Sequence, residues 1–172
     1  MTALHESPVR ISATGFRQAM GHFATGVTVI TSIGLDGQPV GTTASAVSSL
    51  SLDPPLLLAC FGHSSNTLQA IRAHGGFVVN VLAASQRHLS ANFARCGQAA
   101  AWDEVGHRAG FTGCPRLDGV LAALDCTVEH CLPGGDHQIV VGRVCEAETS
   151  QRDAAPLLYW RGSYLPTGGE EA

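Results

Sequence analysis

Lysine is absent from this 172-residue sequence, in which all ten basic residues other than histidine are arginine. Without lysine the chain cannot form a Schiff base with a carbonyl cofactor, and it has no P-loop lysine to hold a nucleoside triphosphate. The arginines are scattered from Arg10 to Arg161 and the formal net charge is −4. Because a nucleic acid backbone needs clustered positive charge, we expect no nucleic-acid partner.

Long hydrophobic runs are also missing. The longest, such as residues 55–61 and 77–84, fall far short of the roughly 20 residues that span a bilayer. The first residues contain no apolar stretch followed by a small-residue cleavage site, so they do not indicate a secretory signal. We therefore expect a cytoplasmic protein with no membrane partner.

The six cysteines include no C-x-x-C pair. The closest two, Cys126 and Cys131, are five positions apart, which predicts opposite faces if they share a strand. Opposite faces are a poor arrangement for shared metal ligands. We therefore expect small buried thiols and no metal site.

The composition is that of one compact domain. Hydrophobic residues make up 45% of the chain, charged residues only 14%, and there are 20 glycines. We place the domain at residues 13–166, with a flexible N-terminal arm at 1–12 and a flexible tail at 167–172.

Runs of β-branched and aromatic residues bounded by turn residues predict that strands dominate. The predicted strands cover residues 27–33, 40–49, 56–61, 77–82, 120–132, 138–148 and 157–161. Asp36-Gly37 predicts a hairpin turn between the first two strands. A helix capped by Thr14 is expected to pack one face on a sheet, and further short helices are predicted at 66–74 and 86–95. Residues 98–115 show no readable pattern.

Many closely spaced strands with tight turns favour a mainly β fold with short helices, built as an antiparallel barrel. The sequence contains no G-x-G-x-x-G after a strand, so a bound dinucleotide would not use the Rossmann arrangement. It also contains no G-x-S-x-G and no H-E-x-x-H, which leaves hydrolytic chemistry without a motif.

Three segments are candidates for a binding site. Residues 41–55 place small and hydroxyl side chains along a predicted strand and its exit, which suits either a solvated sheet edge or a close-approaching flat ligand. Residues 62–67 end a strand and open a helix, which suits either a plain N-cap or an anion site. Gly134-Gly135-Asp136-His137 delivers His137 to the start of an apolar strand, where it is either solvated or functional.

Taken in order, these segments resemble the flavin reductase family, which is built on the FMN-binding split β-barrel. Its members include the small reductase components of two-component flavin-dependent monooxygenases, such as that of 4-hydroxyphenylacetate monooxygenase. The resemblance runs from Phe16 to Tyr164. Its most specific pieces are residues 16–29, residues 43–55 and Gly135-Asp136-His137 with Gly142.

The resemblance implies a homodimer that binds FMN or FAD and takes hydride from NADH or NADPH. It implies His137 as the catalytic residue, placed near the nicotinamide. The implied cofactor-binding residues are Thr25, Gly26, Thr43, Ala44, Ser45, Ser49, Cys60, Phe61, Ser64, Ser65, Asn66, Thr67, Arg161 and Tyr164. Among these, Ser64 to Thr67 would hold the flavin phosphate, while Arg161 and Tyr164 would close the site from the C-terminal end.

The implied activity is an NAD(P)H:flavin oxidoreductase that supplies reduced flavin to a partner monooxygenase. Two alternatives remain open on the sequence: a flavin-binding protein without turnover, and a flavoprotein reductase that acts on another acceptor, such as a corrinoid or a metal complex. At the phosphate loop the chain has His63 and no lysine, where relatives often place a basic residue. The resemblance therefore implies weaker binding of the flavin phosphate, or binding that depends on Arg72 or Arg95.

Overall fold

A computed structural model describes residues 10–94 and 100–165. Most of the predicted N-terminal arm, the whole of the predicted tail, Cys96 and Arg95 lie outside the described residues. The expected domain limits therefore remain a prediction.

Strands dominate the described residues, as the sequence predicts. The strands are β1 (Thr25–Gly26), β2 (Thr28–Ile33), β3 (Pro39–Ala44), β4 (Val47–Leu52), β5 (Pro55–Gly62), β6 (Gly76–Val81), β7 (His107–Ala109), β8 (Pro115–Leu117), β9 (Ala122–Gly134), β10 (His137–Thr149), β11 (Leu158–Trp160) and β12 (Ser163–Leu165). The α-helices are α1 (Ala13–Gly21), α2 (Asn66–His74) and α3 (Arg87–Phe93), and a short 3₁₀ helix at Ala84–Gln86 precedes α3.

Seven strands form one antiparallel sheet in the order β3-β2-β6-β9-β10-β5-β4. Its two edge strands, β3 and β4, follow each other directly in the chain and are joined only by Ser45 and Ala46. The sheet therefore curls until its edges meet at this short connection. We call the connection the seam.

The inner face of the curled sheet holds a core that includes Ile30, Phe61, Phe77 and Val140, and α2 adds Leu68 and Ile71 to it. A second core on the outer face of β2 includes Val29, Leu89 and Phe93. Because β2 packs against both cores, almost all of its residues are buried.

Gly142 shows how tightly the inner core is packed. A Cβ atom added at Gly142 would lie 2.4 Å from the ring of Phe77, which is fully buried. Phe77 therefore occupies the space that any other side chain at position 142 would need. This accounts physically for the glycine that the resemblance picks out.

Local signals predicted several elements well. The helix predicted at residues 66–74 is α2, which is capped by the Ser65 hydroxyl and ends at Gly75 in the left-handed conformation. The Asp36-Gly37 turn is also confirmed, with Gly37 at φ 76° and Asp36 Oδ1 accepting from the backbone N–H of Gln38 at 3.0 Å.

The prediction for the first helix was wrong in two respects. Its N-cap is Ser12, whose hydroxyl accepts from the backbone N–H of Gly15 at 3.1 Å, and not Thr14. None of its residues is buried: Phe16 and Met20 are 56% and 52% exposed. The apolar face of α1 lines an open groove instead of packing on a sheet.

The single strand predicted at residues 40–49 was also wrong, because the seam divides it into β3 and β4. Residues 98–115, which showed no pattern, contain β7 and the start of β8. The helix predicted at residues 86–95 starts earlier, as a 3₁₀ turn.

The prediction that Cys126 and Cys131 face opposite sides of a strand was wrong as well. A register shift in β9, which pairs His130 with Val141 but Val128 with Gly142, leaves Glu129 as an extra residue. The extra residue reverses the alternation, so both cysteines pack against the inner core. Among the residues that the structure describes, no helix is both long and apolar enough to cross a membrane.

Candidate functional site

The seam is held in place by hydrogen bonds to its backbone carbonyls on both sides. The Cys60 N–H donates to the Ala46 carbonyl at 3.0 Å, and the Thr28 hydroxyl donates to the Ala44 carbonyl at 2.7 Å. Small side chains at Ala44, Ser45 and Ala46 leave the backbone open to solvent, so a flat ligand can approach it closely.

A cavity of about 230 Å³, which we call the seam cleft, lies beside the seam. Seven residues predicted for the site line it: Thr43, Ala44, Ser45, Cys60, Phe61, Ser65 and His137. Pairing between β5 and β10 places His137 opposite Gly62 and so brings the three candidate segments together. The structure thus joins stretches of chain that are far apart in the sequence.

The His137 ring is held by its neighbour. Its Nδ1 lies 2.7 Å from Oδ1 of Asp136, and because a carboxylate can only accept, Nδ1 carries the proton. This hydrogen bond from His137 holds the pKa of Asp136 below its usual value. Nε2 is left facing Gly62, where an added Cβ atom would lie 4.0 Å away. His137 therefore presents Nε2 to the seam cleft.

The start of α2 borders the same cleft. The Ser65 hydroxyl caps the helix by accepting from the Leu68 N–H at 3.2 Å. Ser64 and Asn66 are exposed, whereas the Thr67 side chain is buried, with only 3% of the residue exposed. Any contact of Thr67 with a ligand would therefore use its backbone N–H, which as a first-turn donor has no acceptor within the helix.

The basic residues near α2, His63 and Arg72, form hydrogen bonds with groups outside the start of the helix. His63 Nε2 lies 3.1 Å from the Gly135 carbonyl oxygen, which ties the β5–α2 loop to the turn before His137. Arg72 lies in the last turn of α2, away from Ser65, and donates to Gln138 Oε1 at 2.7 Å.

A second cavity of about 490 Å³, which we call the helix groove, runs on from the seam cleft. The two share Ser45, Ala46 and Cys60. Phe16 and Met20 of α1 form one wall, and the predicted residues Thr25 and Arg161 also line it. A side cavity that adjoins Thr25 and Ser45 is lined by the other two predicted residues of this region, Gly26 and Ser49.

Tyr164 lines none of these cavities. Its hydroxyl lies 2.8 Å from the Ser90 hydroxyl, and the Ser90 carbonyl accepts from the Thr43 hydroxyl at 2.7 Å. Arg87 covers the Tyr164 ring, with its guanidinium carbon 4.9 Å from the ring centroid. Tyr164 therefore supports β3, the strand that carries Thr43, through its contact with Ser90 and not as part of a cavity wall.

The cysteines divide into two kinds. Burial raises the pKa of Cys114, and it raises that of Cys126 to about 12, so both thiols stay protonated and inert. The expectation of buried free thiols is confirmed for these two, while Cys145 is exposed and Cys60 lines the groove. Within residues 10–94 and 100–165 no group of three or more histidine, cysteine or acidic residues is placed to hold a metal ion.

Sequence reasoning missed several residues of the helix groove. Phe16, Met20 and Phe23 have helical spacing, which predicts a packed face, whereas in the structure they form an exposed apolar wall. Tyr159 and Trp160 also line this groove. Their position depends on β11 pairing with β1, a contact between distant parts of the chain.

An antiparallel barrel whose seam opens into an apolar groove, with a helix start and one histidine beside it, has the shape and polar groups that suit a flat ligand carrying a phosphate. That is the class of protein that the fold and site define. Comparison with known proteins gives the family. The family model described as "Flavin reductase like domain" matches residues 20–168.

Individual proteins agree with the family model. The chain is 41% identical over 149 residues to a Rhizobium meliloti (strain 1021) protein named "Probable flavin reductase", covering 87% of this chain but 47% of that protein. It is 40% identical over 156 residues to the reductase subunit of a flavin-dependent monooxygenase of Mycobacterium tuberculosis, covering 90% and 82%. The NADH:FAD oxidoreductase structure from Streptomyces globisporus superposes with a TM-score of 0.84 at 32% identity, covering 94% and 96%.

The chain belongs to the flavin reductase family. The expected family, the split-barrel fold and the class of enzyme, an oxidoreductase, are confirmed. The chain spans about half the length of the Rhizobium meliloti relative, so that relative is the longer protein.

Proposed function

We propose that this protein is an NAD(P)H-dependent flavin reductase that passes hydride to FMN or FAD. The observation that carries the proposal is the meeting of the seam, the start of α2 and His137 in one cleft that continues into an apolar groove. The family supports it, since a relative of known structure is an NADH:FAD oxidoreductase.

The residues fit a flavin. The small side chains at Ala44, Ser45 and Ala46 leave room for a flat ring against the backbone. Cys60 and Phe61 line the same seam cleft. A phosphate suits the first turn of α2, where the backbone N–H groups of Asn66 and Thr67 lack helical acceptors and the helix dipole favours negative charge. Ser64 and Ser65 add hydroxyl groups there.

When both cofactors are bound, the reduced nicotinamide supplies the hydride and the flavin accepts it. The protein's own contribution is to position the two rings and to exclude water from the groove. His137 offers Nε2 as an acceptor for the nicotinamide carboxamide, while Asp136 holds the imidazole in place. Backbone N–H groups at the seam stabilise negative charge that arrives on the flavin ring.

Two partners belong to the proposal. One is a second copy of the chain, and the exposed Phe16, Met20 and Phe23 supply apolar surface for it. The other is a flavin-dependent monooxygenase that receives reduced flavin. The Mycobacterium tuberculosis relative is named as the reductase subunit of a flavin-dependent monooxygenase, which supports this partner. We keep the cytoplasm as the expected location.

The proposed activity predicts that NADH or NADPH oxidation by the protein rises with the concentration of added flavin. Steady-state absorbance at 340 nm, with FMN, FAD and riboflavin in turn, measures it. Riboflavin lacks the phosphate and should show a higher KM than FMN if the start of α2 holds that group. A protein that binds flavin but consumes neither nucleotide would be a binding module and would refute the proposal.

His137→Ala is expected to raise the KM for NADH about tenfold, because it removes one hydrogen-bond acceptor from the groove. The KM for flavin should change little. Asp136→Asn is the matched control, since it keeps Nε2 and alters only the partner of Nδ1. An alanine variant with unchanged KM and turnover would show that His137 does not contact the nicotinamide.

A further inference from the structure

A third cavity, of about 490 Å³, lies between the C-terminal end of α1 and the turn that joins β11 to β12. We call it the arginine cleft. It is lined by Arg17, Gln18, Gly21, His22, Arg161 and Gly162. Arg17, Gly21, Arg161 and Gly162 also line the helix groove, so the two cavities are continuous.

The backbone at Arg161 is unusual. It is the only non-glycine residue with positive φ among the residues that the structure describes, at 49°. Together with Gly162, at φ 82°, it forms a two-residue turn with positive φ at both central positions, where asparagine, aspartate or glycine is preferred. An arginine there works against the local conformational preference, and residues held in this way concentrate at ligand sites.

Two hydrogen bonds fix this turn against α1. The Arg161 N–H donates to the Gly21 carbonyl at 2.9 Å, and the Trp160 indole N–H donates to the His22 carbonyl at 3.1 Å. The Arg161 guanidinium carbon lies 5.2 Å from the centroid of the Trp160 ring. The backbone that carries Arg161 and the helix that carries Arg17 are therefore held at a set distance across the cleft.

Within residues 10–94 and 100–165, no carboxylate compensates the positive charge of the arginine cleft. Arg108, Arg116 and Arg143 are paired with carboxylates, whereas neither Arg17 nor Arg161 forms a salt bridge among the described residues. The residues that line the cleft include no carboxylate. In a chain of net charge −4, two guanidinium groups that line one cavity without a carboxylate in its lining favour an anion with several oxygen acceptors.

We propose that Arg17 and Arg161 bind the diphosphate of the nicotinamide dinucleotide. This inference rests on the proposed function and adds the subsite that recognises the donor. The arginine cleft shares no lining residue with the seam cleft, where the flavin phosphate is expected, and both join the helix groove between them. The nicotinamide would then lie in the groove near Thr25 and Ser45, with its diphosphate at Arg17 and Arg161.

Calorimetric titration with NAD⁺ and with ADP-ribose, which carries the diphosphate without the nicotinamide, tests the subsite without turnover. Arg17→Gln and Arg161→Gly are each expected to weaken binding of both ligands about tenfold, and the double variant about a hundredfold. Glycine suits the positive φ at position 161, so Arg161→Gly should melt no lower than the wild type. Arg152→Gln, an exposed arginine outside the cleft, is the control for net charge and should bind both ligands normally.

Steady-state kinetics separate the donor from the flavin. Both variants should raise the KM for NADH and leave unchanged the KM for reduced nicotinamide riboside, which has no phosphate. If they weaken FAD relative to FMN and leave NAD⁺ binding unchanged, the diphosphate belongs to the flavin and the proposal is overturned. Equal losses for the riboside would show a structural role and overturn it too. A wild-type protein that oxidises neither NADH nor NADPH with any flavin would refute the proposed function itself, a result distinct from normal activity in the variants.

Discussion

Arg116→Ala is expected to destabilise the folded chain by about 3–5 kcal/mol, the cost of leaving a buried charge without its partner. Arg116 of β8 is only 5% exposed, and Asp125 of β9 is fully buried. Arg116 Nε donates to Asp125 Oδ2 at 2.5 Å, and the guanidinium also pairs with Glu146 and Glu148. Chemical denaturation followed by circular dichroism measures the loss.

The reason for so large an effect is that every group in this network depends on the others. Burial by itself lowers the pKa of Arg116, but the hydrogen bond and charge of Asp125, with the charge of Glu146, raise it overall. Asp125 Oδ1 also accepts from the N–H and the hydroxyl of Thr112, at 3.1 and 3.2 Å. Removing Arg116 leaves the Asp125 carboxylate without its cation and loosens the β7–β8 segment from the main sheet.

Two variants make this prediction specific. Arg143→Ala breaks a half-buried, solvent-accessible pair with Glu129 and should change the free energy of unfolding far less. The double variant Arg116→Met with Asp125→Asn should lose less than the sum of its two single changes, since no buried charge then lacks a partner. Equal destabilisation by Arg116→Ala and Arg143→Ala would show that burial does not set the cost.

The elements that were predicted well are those with their own local signals. α2 has a serine cap and a glycine end, and the hairpin at residues 36–37 has an Asp-Gly pair. The seam has no such signal, because Ser45 and Ala46 continue the composition of the strands on either side. The break there is set by closure of the whole sheet, which short stretches of sequence do not encode.

The site residues also fall into two groups: those that the sequence identifies locally and those whose position depends on distant parts of the chain. Residues of the seam and of the α2 start were identified from their type and from the family resemblance, and the structure brings most of them to one cleft. Arg17 was missed, because its place beside Arg161 depends on a turn from the far end of the chain that contacts α1. The apolar spacing of α1 was misinterpreted because helical periodicity identifies an apolar face without saying what covers it.

The groove supplies positioning and little acid–base chemistry. Its walls are small, hydroxyl or apolar side chains, with His137 at one end and the arginines at the other. Hydride transfer from a nicotinamide to a flavin would need close placement and the exclusion of water more than it would need a proton donor. The lack of a paired base and nucleophile in the sequence is therefore consistent with the activity proposed.

Ser45→Trp is expected to weaken flavin binding by about a hundredfold or more, because an indole at the seam occupies the space that the ring requires. Ser45 lines the seam cleft, the helix groove and the side cavity, so it stands where the three meet. It is exposed, and the larger side chain therefore has room outside the core. The melting temperature should stay close to that of the wild type, and quenching of flavin fluorescence on binding measures the affinity.

Two controls separate blockage from other effects of the change. Ser45→Ala removes the hydroxyl without adding bulk and should cost at most a few-fold in affinity, the worth of about one hydrogen bond. Gln151→Trp adds the same bulk at an exposed position outside these cavities and should leave binding unchanged. If a folded Ser45→Trp protein still bound flavin with wild-type affinity, the flavin would have to bind away from the seam. The roles proposed for His137, Ser65 and the arginine cleft would then all be wrong, since each of them depends on a flavin ring that lies at Ser45.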